Sequence, residues 1–155
     1  ISVMKLKKFS KLDFKKFHPS GNLGLKLKTV EDLMLTKNKI PKINQKKLLF
    51  EGINLIEKKK LGILIAINDK KDTTGIFTDG DVKRVIQKNI DLKKNSIRNF
   101  MTKNPISIEK NKLAGEAIKL MNSKKITSLC VYKKGQKKKT IGVIHMHNIL
   151  SSNIK

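Results

Sequence analysis

Two places in the chain set a hydroxyl or an imidazole three residues ahead of a carboxylate or an amide, each where an apolar run gives way to a polar one. The first is Thr78 and Asp81 in Gly75-Ile76-Phe77-Thr78-Asp79-Gly80-Asp81; the second is His145 and Asn148 in Gly142-Val143-Ile144-His145-Met146-His147-Asn148. A strand end followed by a carboxylate in the first helical turn gathers a hydroxyl, an acceptor and unpaired helix N–H groups in one spot. That set suits a nucleotide, with amides and hydroxyl on phosphate and Asp81 accepting hydrogen bonds from a ribose diol. The same residues also make an N-cap and a satisfied strand end, and that alternative stands beside the first. In the second place the imidazole can donate to phosphate and Asn148 can contact a diol, but a neutral amide holds it less strongly than a carboxylate. His145 and His147 lie two apart, which on one strand would aim both at a metal; no Cys or third His is near enough in sequence to complete a site, so no metal is expected.

These residues need strands and helices to position them, and the chain supplies each element twice. Leu48–Ile56 aligns with Leu113–Met121, and Lys60–Leu64 with Lys125–Leu129, at a displacement of 65 positions; Val30–Met34 aligns with Ile97–Met101, and Gly75–Thr78 with Gly142–His145, at 67. Each copy reads alike. A short segment ends in Met34 or Met101, and a polar turn passes through Pro41 or Pro105. Leu48, Ile53, Leu55 and Ile56, or Leu113, Ala117, Ile118, Leu120 and Met121, then mark the apolar face of a helix. Ile63–Ile67 and Ser128–Tyr132 read as strands, Gly75–Thr78 and Ile141–Met146 as second strands, and Val82–Gln87 and Asn148–Asn153 as closing helices. Neither copy has enough apolar surface to stand alone, so the two are expected to pack on each other about a pseudo-twofold axis.

Composition narrows the function classes. The formal charge is +24, yet of 36 basic residues only Arg84 and Arg98 are arginine, and there is one Tyr and no Trp. Readers of phosphate and base edges favour the guanidinium fork and aromatic platforms, so the lysine excess is read as a bias of solvated positions and no nucleic-acid partner is expected. The charge still attracts anions, phosphorylated small molecules among them. Cys130, the only cysteine, sits in the apolar run Ser128-Leu129-Cys130-Val131-Tyr132 and reads as a small buried hydrophobe. No stretch approaches the ~20 apolar residues of a membrane span and no signal-type apolar core opens the chain, so a cytoplasmic protein without membrane contact is expected. The first residue is Ile1, which suggests a reading frame that starts further upstream.

The β-α-β-β-α order with these junctions resembles the CBS domain, and the pair resembles the tandem arrangement that family forms, over Val30–Leu150. Outside the repeats, Asp13-Phe14-Lys15-Lys16-Phe17-His18-Pro19-Ser20-Gly21-Asn22-Leu23-Gly24 resembles the closing segment of the sugar-isomerase (SIS) domain of arabinose-5-phosphate isomerases, with Ser20 in place of the family's first glycine. Lys125-Ile126-Thr127 and the two junction strings are also similar to that family. The resemblance implies an α/β tandem CBS pair preceded by the end of a SIS domain: residues 1–29 as SIS tail and linker, 30–90 as the first CBS repeat and 91–155 as the second. It implies D-arabinose 5-phosphate/D-ribulose 5-phosphate interconversion in the parent protein, a step that supplies Kdo for lipopolysaccharide, with His18 as acid–base residue and no cofactor. It also implies a ligand cleft lined by Thr78, Asp81, Thr127, His145 and Asn148, an adenine or sugar nucleotide there, and assembly into a homo-oligomer, a tetramer in the family. The competing expectation is a CBS pair that only binds nucleotides.

Overall fold

A computed structural model describes residues 27–152. The SIS-like segment Asp13–Gly24 with His18 lies outside the described residues, and of the stretch 1–29 only 27–29 are described. The elements in chain order are α1 (Val30–Leu33), a 3-10 turn (Lys37–Lys39), β1 (Lys42–Asn44), α2 (Leu49–Lys59), β2 (Ile63–Ile67), β3 (Thr73–Thr78) and α3 (Asp79–Gln87). A second 3-10 turn (Ile97–Asn99) then leads to β4 (Thr102–Lys103), β5 (Ser107–Glu109), α4 (Ala114–Lys124), β6 (Ser128–Tyr132), β7 (Thr140–His145) and α5 (Met146–Ser151). The β-α-β-β-α order expected from the repeats is present twice. The closing helices start earlier than the apolar pattern suggests, at Asp79 and Met146, because Thr78 and His145 cap the first turn there through hydrogen bonds that apolar periodicity does not register.

Each helix that follows a first strand buries residues three and four apart: Leu49, Gly52 and Ile56 on α2, and Ala114, Ala117, Ile118 and Met121 on α4. Both start with a glutamate reaching back to the cap amide, Leu48 N–H to Glu51 at 3.0 Å and Leu113 N–H to Glu116 at 2.9 Å. The sheets are β1-β2-β3-β4 and β5-β6-β7, with the first pair of each parallel and the remaining pairs antiparallel. Their central strands are covered on both faces, which is why they read as unbroken apolar runs. On β2, Leu64 and Ala66 face a core with Leu49, Ile56, Phe77 and Val85, while Ile63 and Ile65 enter a seam shared with Ile40, Cys130 and Val143. Leu129 and Val131 of β6 face the second helix-backed core and Cys130 the seam.

The segment that opens each repeat in sequence is exchanged in space. Val30, with Leu33 and Met34, packs in the core of the second repeat; Ile97, with Phe100 and Met101, packs in the core of the first. Backbone hydrogen bonds fix both crossings: Val30 N–H to Lys112 O at 2.8 Å, and Leu35 and Val143 to each other at 2.8 and 3.0 Å. In the mirror image, Leu49 N–H reaches Asn95 O and Ile97 N–H reaches Lys47 O, each at 2.9 Å, and β4 pairs on β3. A glycine admits each arrival. A Cβ on Gly75 would stand 2.7 Å from both Met101 Sδ and Thr102 O; one on Gly142 would collide with Met34 Sδ and lie 3.0 Å from Leu35 O. The reciprocity of Gly75–Met101 with Gly142–Met34 defines the approximate twofold axis. Beside that axis the equivalent Thr73 and Thr140 hydroxyls meet at 2.6 Å.

Both close approaches forbid a side chain, so Gly75→Ala and Gly142→Ala should each lower unfolding free energy by about 1–3 kcal/mol through overpacking. Gly115, on α4 with nothing within 4 Å of its Cβ position, is the control: Gly115→Ala should be neutral or add about 0.5–1 kcal/mol. Urea denaturation of the three variants checks the contrast, and equal effects at all three sites would remove the glycine argument.

Candidate functional site

At the first junction Thr78 caps α3 and Asp81 closes a reciprocal box. The Asp81 amide donates to Thr78 Oγ1 at 3.3 Å, while Asp81 Oδ2 accepts the Thr78 amide at 2.9 Å and the Thr78 hydroxyl at 3.1 Å. The Asp81 side chain is only 4% exposed, and a buried carboxylate needs partners for its remaining lone pairs. Arg84, three residues on along α3, donates to Oδ1. The Thr102 hydroxyl reaches the two carboxylate oxygens at 3.3 and 3.4 Å from β4, the strand supplied by the second repeat. The Arg84 side chain itself remains 60% exposed. The Asp81 carboxylate is thus held inside, while the Arg84 guanidinium faces solvent together with the exposed Asp79 and Lys83.

At the second junction the same box is built from neutral groups. The His145 amide donates to Asn148 Oδ1 at 3.1 Å, and His145 Nδ1 accepts the His147 amide at 3.0 Å. With Nδ1 engaged as an acceptor, the neutral ring carries its proton on Nε2. Burial, and secondarily the neighbouring His147, pushes the His145 pKa below its ordinary value. β7 ends at His145 and α5 begins at Met146, so His145 and His147 do not share a strand face, and the metal geometry considered for them on one strand does not form. Thr127 is brought alongside: its carbonyl accepts the Met146 amide at 2.7 Å, as Gly62 O accepts Asp79 N–H at 3.1 Å in the first repeat. Thr78 with Asp81, and Thr127 with His145 and Asn148, therefore form two separate junctions. A surface cavity of about 300 Å³ runs along Met34–Lys39 and is lined by none of them.

Residues 97–154 match the family model described as CBS domain. The crystal structure of an uncharacterized conserved protein from Pyrococcus horikoshii superposes with a TM-score of 0.74 over 86% of this chain and 96% of that one, at 22% identity. CBSX2, solved in complex with AMP, superposes at 0.68 over 81% of this chain and 95% of its own, also at 22% identity. The described residues have the fold of a tandem CBS-domain pair. In sequence the chain is 36% identical to the arabinose 5-phosphate isomerase KdsD of Yersinia pestis across 99% of its residues, which makes it homologous to part of that protein. It covers 46% of that relative, so it spans about half the length of the curated relatives it matches. No helix among the described residues of the pair is long and apolar enough to cross a membrane.

Two residues of the CBS pair's first junction escaped the sequence reading. Arg84 had a signal, being one of two arginines and spaced i, i+3 from Asp81. Thr102 had none, because nothing in its own repeat announces that it will stand beside Asp81. Cys130 is buried in the seam, and burial pushes its thiol up to about 11, so it stays protonated and acts as the small hydrophobe the apolar run suggested.

His145 gives the pair a pH signature. Its folded pKa lies below the unfolded value near 6.5, so the unfolded chain binds the proton first. The stability it contributes is full above about pH 6.5 and is lost as pH falls through the lower, folded pKa. Between pH 7.5 and pH 5.5 the urea midpoint should drop more for the wild type than for His145→Asn, which keeps a capping side chain without the titration. Parallel curves for the two proteins would assign the pH effect elsewhere.

Proposed function

We propose that this CBS pair is the nucleotide-responsive part of an arabinose-5-phosphate isomerase, an aldose–ketose isomerase acting on a sugar phosphate for Kdo and lipopolysaccharide synthesis. The observation that carries the reading is the 36% identity to the Yersinia enzyme along 99% of this chain, at a length where chance similarity is excluded. Moving a proton between adjacent sugar carbons needs a base at carbon and an acid–base group at oxygen. His18 is proposed for the second task or for opening the sugar ring, because an imidazole is the side chain suited to exchanging a proton in neutral solution. It would act with base and phosphate-holding groups of a SIS domain, in a homo-oligomer of the whole protein at home in the cytoplasm.

The ligand proposed for the CBS pair itself is an adenine nucleotide or a sugar nucleotide. The AMP named for CBSX2, a structural neighbour covered over 95% of its length, supports an adenine nucleotide. The phosphate would sit at the Thr78 hydroxyl and the first turn of α3, and the ribose diol at Asp81; the His145–Asn148 junction, beside Thr127, would form a weaker or differently selective second site. That same neighbour favours the second reading, a CBS pair that binds nucleotide and catalyses nothing.

Activity separates the two. The isolated chain should not convert arabinose 5-phosphate, because one histidine cannot supply both proton transfer and phosphate anchoring. The chain extended upstream in frame should convert it, and His18→Ala in that protein should lower kcat by roughly 10²–10⁴-fold. No conversion by the extended protein favours the binder, and unchanged turnover in the variant removes His18 from the mechanism.

Binding tests the site assignment independently. Asp81→Asn keeps an acceptor for the Thr78 amide but loses the charge, so AMP affinity should fall about tenfold, the step between charged and neutral hydrogen bonds. Asn148→Ala should cost less. Titration calorimetry measures both, and equal losses would make the two junctions caps and nothing more.

A further inference from the structure

The two junctions differ at all seven equivalent positions from Thr78–Arg84 to His145–Ser151, Asp79 against Met146 and Lys83 against Leu150 among them. Thr78, Gly80, Asp81 and Arg84 of the first correspond to His145, His147, Asn148 and Ser151 of the second. Where the first repeat has a buried carboxylate and a guanidinium over it, the second has a neutral amide and no cation to match. Asp81 and Arg84 are bonded to each other and neither has a charged counterpart in the second repeat, so the two act as one unit.

The position of the guanidinium gives that unit a second task. A Cβ placed on Gly80 would have two atoms within 4 Å, Thr78 Oγ1 at 3.6 Å and Arg84 Nη1 at 3.7 Å. Over the first turn of α3, then, an open spot is flanked by a hydroxyl on one side and a guanidinium nitrogen on the other. The equivalent spot in the second repeat carries the exposed side chain of His147. Nη2 of the same guanidinium is the group on Asp81 Oδ1, so one end of Arg84 holds the buried carboxylate while the other borders the spot. Both polar groups proposed to receive a nucleotide, the hydroxyl for phosphate and the carboxylate for ribose, are therefore within reach of one arginine.

We infer that Arg84 is the charge-selecting residue of the first CBS cleft: it makes that cleft discriminate a phosphorylated nucleoside from the bare nucleoside. The inference rests on the nucleotide reading of the cleft. A ribose diol arriving at Asp81 must compete with Arg84 for the carboxylate, and this works against any nucleoside. A phosphate at the spot over Gly80 offers the guanidinium a replacement anion, bidentate in geometry, and so offsets the loss. Only a ligand carrying both groups escapes the penalty. The second cleft, with Ser151 and Asn148, has neither the penalty nor the compensation and should be nearly indifferent to the phosphate.

The test uses AMP and adenosine as probes, with calorimetry fitted to two sites on the full chain. Wild type should show one site that prefers AMP by at least about tenfold, the scale of a charge-assisted pair, and one with little preference. Arg84→Met, which keeps the apolar stem, should bring the first site's ratio to within about threefold while leaving adenosine affinity unchanged or higher. Arg84→Lys should retain part of the preference, as a point charge without the fork. If Arg84→Met leaves its carboxylate partner too poorly satisfied to fold, Asp81→Asn with Arg84→Met restores the neutral pairing of the second repeat and should show the same loss of preference. An unchanged AMP-to-adenosine ratio, or an equal fall for both ligands, would reduce Arg84 to a partner for Asp81 and overturn the inference alone. A folded wild type that binds neither probe would overturn it together with the nucleotide reading.

Discussion

Each sheet of this CBS pair is completed by backbone from the other repeat, and the contact that permits it is a methionine lying on a glycine. Met101 sits on Gly75 and Met34 on Gly142, too close in both cases for any Cβ. Once those segments have crossed, Val30 and Ile97 fill the cores of the repeats they do not belong to. Neither helix-backed core is then whole without the other half of the chain. Small domains are short of buried apolar area. Exchange relieves that shortage by letting one connection, the stretch from Lys88 to Asn104, contribute to a core and a sheet at once.

The exchange also reaches the candidate site. Thr102, delivered to β3 by the crossing, is one of the groups that satisfy Asp81. The first junction is therefore assembled from both repeats, whereas the polar contacts of the second come from its own residues, His145, His147 and Asn148. A buried carboxylate demands several donors at once, and a neutral amide fewer. Sequence divergence at the junctions follows that demand: Arg84 accompanies Asp81, and Asn148, with Ser151 at the position equivalent to Arg84, accepts the His145 amide.

What could be read from the sequence is what local pattern controls. Ile63–Ile67 and Ser128–Tyr132 are strands as their apolar runs indicated, because a strand covered on both faces leaves no alternation to mislead the reader. The repeats, and the glycine before each junction, were visible in the offsets. An offset, however, reports which residues are equivalent and says nothing about which are partners. Gly75 and Met101 belong to different repeats, and so do Asp81 and Thr102, so self-alignment could not join them. Helix starts were misjudged for a related reason: Asp79 and Met146 are set by hydrogen bonds to Thr78 and His145, which apolar periodicity does not register. The pairing imagined for His145 and His147 failed on the same point, since the helix begins between them.

Near the axis, Thr73 and Thr140 face each other oxygen to oxygen at 2.6 Å. Two hydroxyls at that distance share a single proton between them, and it must belong to one or the other. True equivalence of the two halves is therefore impossible at the place where symmetry would demand it most. Cys130 sits in the seam where the first repeat has Ile65, so a thiol on one side of the axis faces a branched alkyl group on the other. Either hydroxyl can donate, and whichever does leaves the other to accept. The halves meet as donor and acceptor, and one shared proton keeps the axis approximate.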